Sequence, residues 1–207
     1  FVGLSNGFSV ADVNTDNILL LLTSAGLWWA VALLWVQGYP TSAILWGNRW
    51  MRLLMGLLVL LPCFVGLLFL HQQPLGIWLI LWVAAIVSNA DIFAYFSGRA
   101  FGKRKLAKSV SPGKSWEGVV GGVFACVVLG LLIAYFADKD ILLTLLVVIP
   151  TAFASVLGDL LESMVKRHRG IKDSGSILPG HGGILDRIDG LTAAIPIFAL
   201  MLAVFNW

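Results

Sequence analysis

The chain has 207 residues, of which 59% are apolar or aromatic and 12% are charged, with a net charge of +3 and a mean hydropathy of +0.91. A soluble domain carries about 25% charged and about 45–50% apolar residues. The composition therefore excludes a disordered chain, a nucleic-acid-binding module and an ordinary soluble enzyme, and lipid must cover much of the apolar surface.

In chain order, apolar runs of about 20 residues predict about six membrane-spanning helices, at 17–36, 50–70, 75–97, 116–137, 141–161 and 190–206. The expected fold class is an all-α polytopic membrane protein, one membrane-embedded domain over 1–207 with its catalytic region at about 85–190. Pro62, Pro150 and Pro196 fall inside spans, which membrane helices tolerate when neighbours satisfy the freed backbone groups. Trp46, Trp50, Trp116 and Trp207 fall near span ends, as interfacial anchors do. Cys63 and Cys126 form no metal or redox motif and read as packing residues. The chain opens at Phe1 without an initiator Met, so a processed chain or a fragment is expected.

Most connections are short. The exceptions, about 98–115 and about 162–189, are also the stretches rich in charge, Gly and Pro. With this span count they share one side with 37–49. That side, span edges included, holds every Lys and Arg except Lys139. The positive-inside rule then places both long loops in the cytoplasm. Asp91, Glu117, Asp159, Glu162, Asp173, Asp186 and Asp189 gather at the same end. A surface that only binds anionic lipid needs the cations alone.

The densest stretch runs from Ser163 to Asp189, S-M-V-K-R-H-R-G-I-K-D-S-G-S-I-L-P-G-H-G-G-I-L-D-R-I-D. Carboxylates hold Mg²⁺, which keeps waters and takes phosphate oxygens as further ligands. Lys and Arg take the remaining phosphate charge, and Gly182 and Gly183 let backbone amides approach a phosphate. The mixture suits an anionic substrate bound through metal ions. Just upstream, Ser155, Asp159, Glu162 and Ser163 share one helical face. A carboxylate at that depth belongs in a polar cavity or in an interfacial pair with Lys166 or Arg167. Ser88, Asp91 and Tyr95 also share a face and line either a cavity or a helix-packing cluster. In the first long loop, Lys103, Arg104 and Lys105 read as a topology signal that also attracts anionic headgroups. In S-P-G-K-S-W-E-G, Pro and Gly predict a tight turn that projects Lys114, with Ser115 capping the next helix, an arrangement suited to an anion. His71 falls in a short outward loop with no catalytic part and His168 reads as solvated, whereas His181 is a candidate for phosphate contact or for stabilising a turn.

These residues resemble the phosphatidate cytidylyltransferase (CDP-diglyceride synthase) family. The resemblance rests on Ser163, Lys166-Arg167, Lys172-Asp173, His181-Gly182-Gly183 and Asp186-Arg187-Ile188-Asp189 in register. It continues through G-D-L-L-E-S, S-P-G-K-S-W-E-G and the A-D…A-Y-F…G-R…F-G-K run at 90–103. It spans roughly Ile80 to the C-terminus. Family members commonly carry small residues where this chain has Ile92 and Phe93, and are usually longer, so a short member or a fragment is expected. The resemblance implies CTP and phosphatidic acid as substrates, CDP-diacylglycerol and pyrophosphate as products, and Asp159 and Asp186 as ligands of a two-cation site with Mg²⁺ and K⁺. It implies that Ser163 supports that site and that Lys166, Arg167, Lys172 and Arg187 bind phosphates. Ser111, Lys114 and Ser115 would line the nucleotide or lipid phosphate site. Asp173 and Asp189 take supporting places, and Asp91 lines the pocket. A homodimer in the bacterial cytoplasmic membrane, with its active site on the cytoplasmic side, is also implied; nucleic acid is not a partner. A CTP-dependent lipid-alcohol kinase, an ion-coupled transporter and an inactive scaffold remain open at this level.

Overall fold

The computed structural model describes residues 15–175 and 182–205. It contains α1 (Thr15–Gln37), the one-turn α2 (Ala43–Trp46), α3 (Arg49–Gln72), α4 (Gly76–Phe101), β1 (Lys105–Ala107), β2 (Ser111–Ser115), α5 (Trp116–Phe136), α6 (Ile141–His168) and α7 (Leu185–Phe205). Among the described residues, six helices are long and apolar enough to cross a membrane: α1 and α3 to α7. The chain is thus an all-α polytopic membrane protein with one small antiparallel hairpin.

Local signals set the helix starts. Asn48 accepts the Met51 N–H at 2.8 Å, Ser115 accepts that of Gly118 at 3.1 Å, and Asp140 accepts that of Leu143 at 2.8 Å. Each satisfies a donor that the first helical turn leaves unpaired. Pro62, Pro150 and Pro196 sit within continuous helices, as expected.

Two helix ends differ most from the sequence expectation. The fifth span does not stop near 161 but continues to His168, because Leu160, Leu161 and Met164 keep a buried stripe through the charged region. The last begins at Leu185 rather than 190, so D-R-I-D forms its first turn. A carboxylate suits that end of a helix dipole. The hairpin also corrects the expected Pro-Gly turn. The turn falls at 108–110, where the Val110 N–H donates to Ala107 O at 3.2 Å, and S-P-G-K-S is the second strand. Val110 is 1% exposed, and burying it draws the hairpin down onto the bundle.

The helices pack most extensively as two pairs, α4 with α5 and α6 with α7. Lipid gives helices no hydrophobic reason to associate, so close backbone approach carries the packing. Gly158 illustrates it: a side chain there would strike the backbone carbonyl of Asp189, so α6 and α7 close tightly beside the charged end. One core cluster surrounds Ile86 and Phe198, with the Trp82 and Phe198 rings edge-on at 5.1 Å. The other, nearer the charged end, holds Trp46, Val110 and Met164. Trp46 is therefore wholly buried, not an interfacial anchor, and His168 packs against its ring at 4.8 Å rather than standing in solvent. Trp50 and Trp116 are exposed, as anchors are. Trp207 lies outside the described residues.

Candidate active site

At the charged end, α4, β2, α5 and α6 surround a cavity of about 440 Å³ whose walls combine apolar groups such as Val119 and Val156 with Asp91, Tyr95, Arg99, Ser111, Lys114, Ser115 and Asp159. The hairpin makes this possible. Its ends are fastened where α5 begins: Trp116 N–H donates to Arg104 O at 2.9 Å, and the Glu117 carboxylate accepts the N–H groups of Lys103 and Arg104, each at 3.1 Å. Strand β2 then carries Lys114 onto α6. The Lys114 ammonium lies 2.5 Å from Asp159 Oδ2, and Ser163 Oγ donates to Asp159 Oδ1 at 3.1 Å. Ser115 is a buried helix cap at the cavity wall. Asp91 and Tyr95 line the cavity one helical turn apart. Ser88, grouped with them by periodicity, does not line it.

A second cluster joins α6, the loop after it and the first turn of α7. Lys166 Nζ lies 2.6 Å from Asp186 Oδ1 and 3.5 Å from Glu162 Oε2. Asp186 is also held by backbone and side-chain donors. Ser174 N–H and Oγ donate to Oδ2 at 2.8 and 2.9 Å, and Gly183 N–H donates to Oδ2 at 2.8 Å. Gly182 takes φ +82°, a left-handed conformation that side chains disfavour, and this turn aims the Gly183 amide at Asp186. Glu162 on α6 and Asp189 on α7 lie within each other's electrostatic reach, as do Asp189 and Asp159. The two clusters are therefore neighbours along one face of α6.

The structure brings together Asp91, Ser111, Lys114, Ser115, Asp159 and Ser163 in one group, and Lys166, Asp186, Gly183 and Asp189 in the other. Arg167 points elsewhere: its Nε donates to the carbonyl of Val110 at 3.3 Å, tying α6 to the hairpin turn. Lys172 and Arg187 are exposed at the same end, and Asp173 lies against Gly182. His181 lies outside the described residues. Sequence reasoning placed Glu162 on the helix face of Asp159 without giving it a role, and gave none to Ser174, Glu117 or Arg99. Glu162 carried a signal, standing four residues before Lys166 on the helix face of Asp159. Ser174 carried none, and Glu117 and Arg99 stood only within the runs that carry the family resemblance, since backbone geometry and partners distant in sequence bring all three in.

Among the described residues, no group of three or more His, Cys, Asp or Glu is drawn together to hold a metal. The donor chemistry nevertheless fits a hard cation, which takes carboxylate and hydroxyl oxygens. Asp159 with Ser163, and Asp186 with its neighbours Glu162 and Asp189, present such oxygens. A lysine ammonium now faces each aspartate.

Six spans, a cavity at one end, and paired lysines and carboxylates beside a glycine turn define a membrane enzyme that handles an anionic substrate. The sequence pattern of the cytidylyltransferase family matches residues 1–205. The chain is similar to the phosphatidate cytidylyltransferase of Pseudomonas aeruginosa, 54% identical over 190 residues, covering 90% of this chain and 70% of that protein. It is similar also to that of Haemophilus influenzae, 46% identical over 207 residues, covering 94% and 72%. A third relative of the same name, from Bacillus subtilis, is 39% identical over 160 residues, covering 73% and 59%. The chain belongs to the cytidylyltransferase family and is a nucleotidyltransferase enzyme.

Proposed function

We propose that this chain is a phosphatidate cytidylyltransferase of phospholipid biosynthesis, converting CTP and phosphatidic acid to CDP-diacylglycerol and pyrophosphate. The observation that carries the reading is the cavity in which Lys114 from the hairpin meets Asp159 from α6, beside Asp91, Arg99 and Ser111. The family and the names of its relatives support the same reaction.

The lipid phosphate is a monoester already ionised near neutral pH, so its oxygen attacks the α-phosphorus of CTP without a general base. The P–O bond to the β-phosphate breaks, and pyrophosphate leaves with the electron pair. The barrier to overcome is the meeting of two highly anionic reactants, so positioning and charge neutralisation supply most of the catalysis. Lys114, on a clamped strand, holds one phosphate in the cavity, where Ser111 and Ser115 are placed to line the phosphate path. Lys166 neutralises charge at the second cluster. Lys172 and Arg187 supply cations for the departing pyrophosphate, and Arg167 keeps the hairpin seated. Gly182 and Gly183 form the turn beside Asp186, and His181 is assigned to substrate phosphate on the family resemblance. Asp159 and Asp186, supported by Ser163, would hold Mg²⁺ and a second cation, K⁺ in the family resemblance. When bound, these cations supply charge neutralisation at the transferred phosphate. With a cation held at each aspartate, Lys114 and Lys166, which face those carboxylates, would be free to bind phosphate. The enzyme is placed in the cytoplasmic membrane, with the cavity on the cytoplasmic side. Support comes from the near-total bias of Lys and Arg to that end. A homodimer is the proposed assembly, on family resemblance.

The test uses purified protein in mixed micelles with Mg²⁺, K⁺, phosphatidic acid and CTP labelled at either the α- or the γ-phosphorus. The expected result is α-label in the lipid with matching pyrophosphate. Transfer of γ-label to lipid, with release of CDP, would overturn the reading in favour of a kinase.

A further inference from the structure

The α4–α5 pair has two faces. One lines the reaction cavity. The other carries an apolar groove of about 600 Å³, lined chiefly by Phe93, Phe96 and Phe101 of α4 and Phe124, Val128 and Leu132 of α5. The groove and the cavity share no lining residue among those described. The wall between them is closed. A side chain at Gly118 would come within 2.8 Å of the Ala94 carbonyl, and one at Gly122 within 2.6 Å of the Ala90 carbonyl. Ser97 Oγ adds donor contacts to Phe93 O at 2.5 Å and Gly118 O at 3.3 Å. An acyl chain lying in the groove therefore has no passage through this seam to Lys114.

The dimensions fit one lipid tail. Asn89 to Phe101, the extent of the groove on α4, rises about 18 Å at 1.5 Å per residue. One leaflet of a hydrocarbon core about 30 Å thick measures about 15 Å. The rim is cationic. Phe101 lines the groove's outer end, and Lys103, Arg104 and Lys105 follow it with exposed side chains. Their position is fixed rather than trailing. Glu117 holds the Lys103 and Arg104 amides, and Glu117, Gly121, Phe124, Val128 and Leu132 follow one another at three- and four-residue steps along one face of α5. Arg104 also faces the Glu117 carboxylate.

We propose that this groove and its basic rim form a second lipid site, separate from the reaction cavity, which holds one anionic phosphodiester lipid of the surrounding membrane. Its tail lies along Phe93, Phe96 and Phe124, and its headgroup sits among Lys103, Arg104 and Lys105. Charge complementarity selects an anionic headgroup over a zwitterionic one, and the closed seam excludes a lipid whose phosphate must react.

The test is native mass spectrometry of the purified full chain in neutral detergent, titrated separately with phosphatidylglycerol, phosphatidylcholine and phosphatidate. Phosphatidylglycerol adducts should exceed phosphatidylcholine adducts at least about fivefold, the effect of roughly one cation beside an anionic headgroup. The triple variant Lys103→Gln, Arg104→Gln, Lys105→Gln should lose the preference. Val128→Trp, or Leu132→Trp one turn along, fills the groove from its exposed face and should lose most adducts of both diesters without changing the oligomeric state. A preference that survives the triple variant overturns the headgroup assignment. Unchanged adducts in both Trp variants overturn the groove. Because phosphatidate also enters the reaction cavity on the proposed function, its adducts are read by difference: a loss of phosphatidate adducts in the Trp variants that exceeds the loss of phosphatidylglycerol adducts would make this a substrate-holding site instead, and dissociation of an oligomer by the Trp variants would assign the groove to a second copy.

Discussion

The two lysine–aspartate pairs look alike on paper and are built differently. Lys114 and Asp159 come from a strand and from mid-helix, face a cavity and remain 24% and 30% exposed. Lys166 and Asp186 are 14% and 11% exposed, with Asp186 additionally fixed by Ser174 and Gly183. The first pair is accessible to a ligand and each partner can exchange the other for it. The second is embedded in the joint between α6 and α7, so it supports the local fold as well as any chemistry. A substitution in the first should act on turnover alone, whereas one in the second should act on turnover and stability together.

Asp159→Asn carries the largest expected effect. Loss of one charge in a preorganised phosphate site should lower turnover about 100- to 1,000-fold, with the melting temperature unchanged in a thermal shift assay. A matching fall in melting temperature would erase the distinction between the pairs. Asp186→Asn should reduce turnover by about 100-fold and also lower the melting temperature by several degrees, because Lys166 and the Ser174 and Gly183 amides lose their charged acceptor. Normal turnover in a folded Asp186→Asn protein would remove this residue from the site. Glu117→Ala should cost about tenfold in rate, since it releases the two amides that seat the hairpin and lets Lys114 drift; parallel proteolysis should show faster cleavage between Lys103 and Lys108. Ser174→Ala removes one of several donors to Asp186 and should cost about threefold, with Ser174→Thr restoring the rate.

The difference between the pairs also explains what could be read in advance. The spans were legible because apolar runs of membrane length are a one-dimensional signal, and Asp159 stood out as a carboxylate at the edge of such a run. Lys114 was legible as a cation beside a helix cap, but its carrier was not. S-P-G-K-S reads as a turn because Pro and Gly favour turns, whereas burial of Val110 and the Glu117 clamp, both long-range, make it a strand. The continuation of α6 to His168 was masked by its charges, although Leu160, Leu161 and Met164 keep helical spacing. Trp46 lay in what read as a short connection. Its burial depends on Tyr39 and on His168 more than a hundred residues away. The approach of Asp189 to Glu162 likewise depends on Gly158, which lets α6 and α7 close.

The most direct test of the central claim, that the cavity at Lys114 and Asp159 is where the anionic reactants meet, removes the same charge from two places on the same hairpin segment. Lys114→Ala and Lys103→Ala would be purified from the full chain and compared in neutral mixed micelles by transfer of α-labelled CTP into lipid. Lys114→Ala should lose at least about 100-fold, while Lys103→Ala, an exposed surface change, should stay within about twofold of the parent. Equal losses in the two variants would mean that the hairpin acts through its overall charge, and would contradict the account.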